Sequence, residues 1–156
     1  MKIEAGQKAP DFSLYDSDKK KVALVDFKGQ NVILLFFPLA FTSVCTQELC
    51  NMRDNISVYN NLNTQIVAIS VDSLYTLARF KVDQQLNFPL LSDFNKEISQ
   101  AYGSYYDQFT YEMKGVSKRS AFIIDKDGVI RYVEILENPS DLPNFGKINN
   151  VLSTLT

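Results

Sequence analysis

The chain has 156 residues, the usual length of one domain, and 46% of them are hydrophobic. A chain of this size and composition buries enough apolar surface to fold without disulfides, which excludes intrinsic disorder. Its 16 Lys and Arg residues nearly balance its 18 Asp and Glu residues, for a net charge of −2. This balance argues against a nucleic-acid partner or an anionic membrane, because either would require a basic face.

Two absences narrow the chemistry further. The sequence contains no histidine, which excludes Ser-His-Asp hydrolysis, Cys-His proteolysis and HExxH zinc sites. Cys45 and Cys50 are its only cysteines, too few without histidine for a structural zinc site. The first residues lack the apolar stretch of a signal peptide, and the longest apolar run, 32–41, is too short to cross a bilayer. We therefore expect a cytoplasmic protein whose cysteines are thiols.

Five strands and four helices are predicted along the chain, without a linker or repeat, so we expect a single domain over residues 1–156. The strands are expected at 22–27, 31–37, 65–71, 120–125 and 129–135, and the helices at about 43–60, 73–86, 95–102 and 141–155. The uninterrupted apolar runs at 31–37 and 65–71 are typical of strands covered on both faces. This order predicts an α/β fold in which a mixed central sheet has helices on both faces. Residues 16–21 are expected to form a solvated turn, and 103–118 show no clear period.

The helix that carries both cysteines is the most informative segment. Pro38 ends the strand before it, because proline cannot donate to the sheet ladder. Thr42 is a suitable N-cap, which makes Cys45 the third helical residue. The free N–H groups and positive dipole end of the helix would then lie near the Cys45 sulfur and favour a reactive thiolate.

Helical geometry separates the two sulfurs. A single stripe that faces the sheet is formed by Cys45, Leu49, Met52, Ile56 and Tyr59. Cys50 lies about 140° around the helix from Cys45, and their Cα atoms would be about 8.6 Å apart. Because a disulfide needs less than roughly 7 Å, a bridge between them requires the first helical turns to unwind. Burial of Cys45 merely as a small apolar side chain remains an alternative.

Only arginine or lysine can supply a cation near the sulfur. Of the four arginines, Arg119 is the candidate, because it directly precedes the strand at 120–125 and functional groups gather at strand ends in α/β sheets. The alternative is a solvated surface arginine.

These residues together resemble the peroxiredoxin family. Its Pro-x-x-x-Thr-x-x-Cys motif is present as Pro38, Thr42 and Cys45, and its late strand after an arginine is matched by Arg119 and 120–125. Residues 5–12, 88–94 and 101–103 fit the family's opening and middle sections, so the resemblance covers nearly the whole chain. The middle section is most similar to the alkyl hydroperoxide reductase E type. The spacing of the two cysteines instead resembles the bacterioferritin comigratory protein (Q) type.

The resemblance implies a thioredoxin-like fold and a thiol-dependent peroxidase that needs neither a metal nor an organic cofactor. Cys45 would be the peroxidatic thiolate, and Cys50 the resolving thiol. Thr42 and Arg119 would stabilise the reacting atoms, and Pro38 would shield the sulfur from water. Glu48 would orient the arginine, with an exposed helix glutamate as the alternative. Hydrogen peroxide or an alkyl hydroperoxide would be the substrate, and a thioredoxin-type dithiol the reductant.

Two other functions fit the same residues. One is a one-cysteine peroxidase that is resolved by an external thiol, in which Cys50 has no role. The other is a thioredoxin-fold redox sensor that reacts once without turnover. The aromatic residues within 102–111 are compatible with an active-site wall, a homodimer contact or local packing.

Overall fold

The computed structural model describes residues 3–155 as nine strands, five α-helices and two short 3₁₀ helices. The strands are β1 (Ser13–Tyr15), β2 (Lys21–Ala23), β3 (Asn31–Phe36), β4 (Thr64–Ser70), β5 (Leu90–Ser92), β6 (Tyr105–Tyr106), β7 (Val116–Ser117), β8 (Ser120–Ile124) and β9 (Ile130–Ile135). The helices are α1 (Ser43–Asp54), α2 (Ile56–Asn61), α3 (Leu74–Gln84), α4 (Glu97–Ala101) and α5 (Phe145–Thr154). None of the helices within residues 3–155 is long and apolar enough to cross a membrane.

A five-stranded mixed sheet organises the molecule, in the order β5-β4-β3-β8-β9. β3, β4 and β5 run parallel, whereas β8 and β9 are antiparallel to their neighbours. Every residue of β3 is buried, as its uninterrupted apolar sequence predicts. Because side chains alternate along a strand, Ile33 and Leu35 enter one core, and Val32 and Leu34 enter the other.

The two faces of the sheet are covered unequally. α1, α3 and α5 all pack on one face, through buried residues such as Leu49, Phe80 and Ile148. The other face is covered by the N-terminal segment, by Tyr102 and by α4, whose Ile98 is partly buried there. The prediction of a mixed sheet with helices on both faces is confirmed, with the longer helices on one side.

Two predicted elements differ from the observed ones. The single helix expected at 43–60 is broken at Asn55, whose side-chain amide donates to the carbonyl of Asn51. The strand expected at 22–27 ends at Ala23, and a 3₁₀ turn follows over Leu24–Phe27. There the Asp26 carboxylate accepts from the N–H of Ala23 at 2.9 Å, a local bond that competes with strand pairing.

The polar stretch expected to form a solvated turn at 16–21 does connect β1 and β2, but its first residue is buried. Asp16 accepts from the backbone N–H groups of Asp18 and Lys20 at 2.8 and 2.9 Å. Its carboxylate organises the turn from inside, as aspartate commonly does. The turn is therefore not fully solvated.

The topology brings two distant segments to one end of the sheet. β3 and β8 are antiparallel neighbours, and Phe36 at the end of β3 pairs with Ser120 at the start of β8. The chain that leaves β3 towards α1 therefore lies beside the chain that enters β8. Pro38 and Arg119 flank these paired strand ends, so the fold positions them close together.

Candidate active site

Cys45 lies in the first turn of α1 and is almost fully buried, with 1% of its surface exposed. It is the third helical residue, as predicted, because Thr42 occupies the N-cap position in an extended conformation. Leu49, Met52 and Tyr59 of the predicted stripe are buried on the same side, and Ile56 is partly buried against them. The sulfur therefore faces the interior at the end of the sheet.

Thr42 does not cap the helix through its side chain, contrary to expectation. Its hydroxyl donates to the carbonyl of Leu39 at 2.7 Å, and the side chain remains exposed. The bond is local and turns the hydroxyl back towards the loop between β3 and α1. The Thr42 oxygen keeps lone pairs that can accept a hydrogen bond from a bound molecule.

Arg119 is buried beside Cys45, so the alternative of a solvated surface arginine is wrong. Its Nη2 donates to Cys45 Sγ at 3.2 Å and to the carbonyl of Pro139 at 3.0 Å. Its Nη1 donates to Glu48 Oε1 at 2.7 Å. A guanidinium has a planar set of five N–H donors, so three acceptors at these positions fix both its location and its plane.

Glu48 is completely buried and forms the ion pair with Arg119, which rules out the alternative of an exposed helix glutamate. It follows Cys45 by three residues on α1, so the two side chains share a helix face. Burial raises the pKa of Glu48 from its usual value of 4.5 to about 7, although the Arg119 charge and hydrogen bond lower it and the charge of Glu134 raises it slightly. Burial would lower the pKa of Arg119, but the charges of Glu48 and Cys45 raise it overall.

The raised pKa of Glu48 predicts a pH-dependent stability. Because the folded state holds this proton more tightly than the unfolded state, its stabilising effect is complete below pH 4.5 and is lost as the pH rises to about 7. Glu48→Gln removes the titration and retains an acceptor for Arg119. Denaturant unfolding at about pH 5 and about pH 8 should show a smaller fall in the free energy of unfolding for this variant. Equal falls for both proteins would contradict the prediction.

The loop between β3 and α1 is held in an unusual conformation. Pro38 is buried directly after the sheet, and Phe41 adopts the left-handed region at φ 68°. The Phe41 ring packs edge-on against Phe80 of α3 at 5.1 Å between centroids. The N–H of Ala40 donates to the carboxylate of Asp72 at 2.8 Å. These contacts from α3 and the end of β4 determine where α1 begins.

Cys50 lies outside this cluster, as helical geometry predicts. It is half-buried, and its Sγ contacts Gln84 Oε1 at 3.5 Å. Arg53 donates from Nη1 to the backbone carbonyl of the same Gln84 at 2.5 Å. Both thiols are free, and α1 is continuous between them. A disulfide between Cys45 and Cys50 would require the first turns of α1 to unwind.

Three site residues were missed by sequence reasoning. Pro139 contributes only a backbone carbonyl, for which no side-chain pattern exists. Asp72 lies two residues after β4, and its position just beyond a buried strand was an available signal. Glu134 of β9 acts electrostatically on Glu48 and accepts from the hydroxyl of Tyr132 at 2.9 Å. Glu134 was missed because β9 is an outer strand of the sheet, where a glutamate is expected to face solvent.

A buried thiol next to a buried guanidinium, at the start of a helix on a mixed five-stranded sheet, defines a thiol-based redox enzyme. The AhpC/TSA family model matches residues 5–133. The chain is 36% identical over 157 residues to alkyl hydroperoxide reductase E of Mycobacterium bovis, and the match covers 99% of both proteins. It is 37% identical over 132 residues to peroxiredoxin Bcp of Escherichia coli, with 84% of the chain and 85% of Bcp covered.

Solved structures agree with these sequence matches. Peroxidoxin BcpB of Mycobacterium tuberculosis superposes with a TM-score of 0.83 at 27% identity, covering 98% of the chain and 96% of BcpB. The reduced 2-Cys peroxiredoxin of Plasmodium vivax superposes with a TM-score of 0.82 at 27% identity, covering 96% of the chain and 80% of that protein. The fold is thus thioredoxin-like, and the chain belongs to the AhpC/TSA family of peroxiredoxins. It is a thiol peroxidase, which acts on a peroxide and depends on a reductant.

Proposed function

We propose that Cys45 is the peroxidatic residue of this thiol peroxidase. The 3.2 Å contact between Arg119 Nη2 and Cys45 Sγ supports this assignment above all, because it pairs the sulfur with a buried positive charge. Arg119 is held in turn by Glu48, so the charge remains aimed at the sulfur. A cation and a helix N-terminus both stabilise a thiolate, which is the nucleophilic form of cysteine.

The first chemical step follows from this arrangement. The Cys45 thiolate attacks the distal oxygen of the peroxide, so that an S–O bond forms as the O–O bond breaks. The leaving oxygen departs as hydroxide or an alkoxide and takes a proton from solvent to become water or an alcohol, while Cys45 keeps the transferred OH group as a sulfenic acid. Arg119 stabilises the charge that develops on the oxygens. The Thr42 oxygen accepts a hydrogen bond from the peroxide O–H, and Pro38 keeps bulk water from the sulfur.

Cys50 is proposed as the resolving thiol. Its sulfur attacks the Cys45 sulfenic acid, forming an S–S bond and releasing water. The step requires Cys50 to leave Gln84 and the first turns of α1 to unwind, because the intact helix keeps the sulfurs apart. A thioredoxin-type dithiol donor then reduces the disulfide. A cytoplasmic location and a homodimer are further parts of this proposal.

Intact mass after one equivalent of hydrogen peroxide tests the resolving step. We expect the wild-type protein to lose two hydrogens as an intramolecular disulfide, because Cys50 condenses with the sulfenic acid. Cys50→Ser should instead gain one oxygen, since the sulfenic acid then has no partner. Cys45→Ser serves as the control and should remain unchanged.

A wild-type protein that gains one oxygen would contradict the role of Cys50 and make an external thiol the resolving group.

The number of peroxide molecules reduced per protein distinguishes an enzyme from a sensor. With excess dithiol donor, the enzyme consumes many equivalents of peroxide, whereas a sensor stops after one.

A further inference from the structure

The segment that follows β9 holds Arg119 at two points. The N–H of Leu136 donates to the backbone carbonyl of Arg119 at 2.9 Å. Three residues later, the carbonyl of Pro139 accepts from Arg119 Nη2 at 3.0 Å. The same Nη2 donates to Cys45 Sγ, so a displaced Pro139 carbonyl would rotate the guanidinium relative to the sulfur. Residues 136–139 are therefore part of the support of the active site.

Tyr106 forms a hydrogen bond to the middle of this segment. Its hydroxyl donates to the carbonyl of Glu137 at 2.7 Å, with a longer contact to the carbonyl of Leu136 at 3.5 Å. Tyr106 belongs to β6 and pairs with Val116 of β7, just before Arg119 in the chain. Burial and the charge of Glu137 raise the pKa of Tyr106, whereas the charge of Arg119 lowers it, which indicates that its hydroxyl lies within electrostatic range of the guanidinium.

The segment also forms a salt bridge, which is exposed to solvent and weaker. Lys118 Nζ forms an ion pair with Glu137 at 2.8 Å and lies 5.5 Å from the centre of the Tyr106 ring. The Glu137 side chain is 78% exposed, and ion pairs of that kind contribute little to stability. The Tyr106 hydroxyl bonds the backbone of the segment directly at 2.7 Å, so it constrains the path of the chain there more than the side-chain ion pair does.

We propose that the Tyr106 hydroxyl is a positioning group for peroxide reduction. It holds residues 137–139 in place, and the Pro139 carbonyl then keeps Nη2 of Arg119 directed at Cys45. Tyr106 does not touch the reacting atoms and acts only through Arg119. The inference rests on the proposed roles of Arg119 and Cys45, and it gives a function to one of the aromatic residues within 102–111.

Tyr106→Phe tests this inference, with Tyr105→Phe as the matched control. The phenylalanine retains the ring and removes only the hydroxyl. The Tyr105 hydroxyl lies beside Gly115, and neither of the contacts to the carbonyls of residues 136 and 137 involves it. For Tyr106→Phe, we expect the second-order rate constant with hydrogen peroxide to fall about 3- to 10-fold, the effect of one lost hydrogen bond. The ultraviolet absorbance of the Cys45 thiolate at neutral pH should fall too, in a Cys50→Ser background. Tyr105→Phe should leave both quantities unchanged.

Unchanged rate and thiolate absorbance in Tyr106→Phe would overturn the inference, as would equal losses in both tyrosine variants. If the wild-type protein does not reduce peroxide at all, the proposed function fails, and the thiolate absorbance alone decides the positioning role. If Tyr106→Phe does not fold, Tyr106→Met removes the same hydroxyl with a side chain that adapts to the space of the ring. Unchanged rate and thiolate absorbance in that variant would equally overturn the inference.

Discussion

Replacing Cys45 by serine is expected to abolish catalytic peroxide reduction. A serine hydroxyl does not ionise near neutral pH, so Arg119 would face a neutral and weakly nucleophilic oxygen in place of a thiolate. We expect the second-order rate constant with hydrogen peroxide to fall by about 10³-fold or more, as for other removed nucleophiles. Stopped-flow mixing of the reduced protein with peroxide measures this directly. The remaining thiol of Cys50 lacks the Arg119 contact and cannot substitute.

Cys50→Ser is the matched control for this prediction, because it also removes one thiol from α1. We expect it to retain the fast first reaction with peroxide and to lose only disulfide formation. Cys45→Ser should lose more stability than Cys50→Ser, because only Cys45 is fully buried in the core, so denaturant unfolding must show that both variants are folded when their rates are compared. Fast peroxide reduction by Cys45→Ser, or loss of the first reaction in Cys50→Ser, would transfer the nucleophilic role to Cys50.

The buried strands and the cysteine helix were the most predictable parts of the molecule. Uninterrupted apolar runs identified β3 and β4, because only strands covered on both faces carry such sequences. The helical stripe predicted that Cys45 faces inwards, and the position of Arg119 just before β8 predicted that it lies near the sulfur. The short strands β1, β5, β6 and β7 were not predicted, since two or three residues show no periodicity of their own.

The finer geometry of the site depends on contacts between distant segments. The Thr42 hydroxyl could bond either its helix or the loop before it, and the sequence pattern favoured the helix. Glu48 is buried because Arg119 lies beside α1 and forms an ion pair with the Glu48 carboxylate. That position of Arg119 follows from the pairing of β3 with β8. The Pro139 carbonyl is a backbone group that any residue could supply. These three contacts can be identified only in the folded structure, because the sequence pattern does not relate the groups that they join.

Replacing Arg119 by alanine is expected to slow the reaction with peroxide by roughly 10²- to 10³-fold, through loss of one charged partner of the transition state. The guanidinium binds Cys45, Glu48 and the Pro139 carbonyl together, so its removal leaves the thiolate without a cation and Glu48 without its ion pair. Glu48 would then hold its proton up to a higher pH, because burial remains and the Arg119 charge is absent. The rate constant should be measured at several pH values.

Arg119→Lys separates charge from geometry. Lysine retains a positive charge but not the planar set of donors, so it cannot contact all three acceptors at once. We expect its rate constant to lie between those of the wild-type protein and Arg119→Ala. Arg131→Ala is the matched control, because this arginine is half-exposed and pairs with Asp125 at the opposite end of β8. A rate equal to wild type in Arg119→Ala, or an equal loss in Arg131→Ala, would show that the buried guanidinium does not act on the peroxide. An Arg119→Lys variant with full activity would show that charge alone is sufficient, and that the plane fixed by Glu48 and Pro139 has no part in the chemistry.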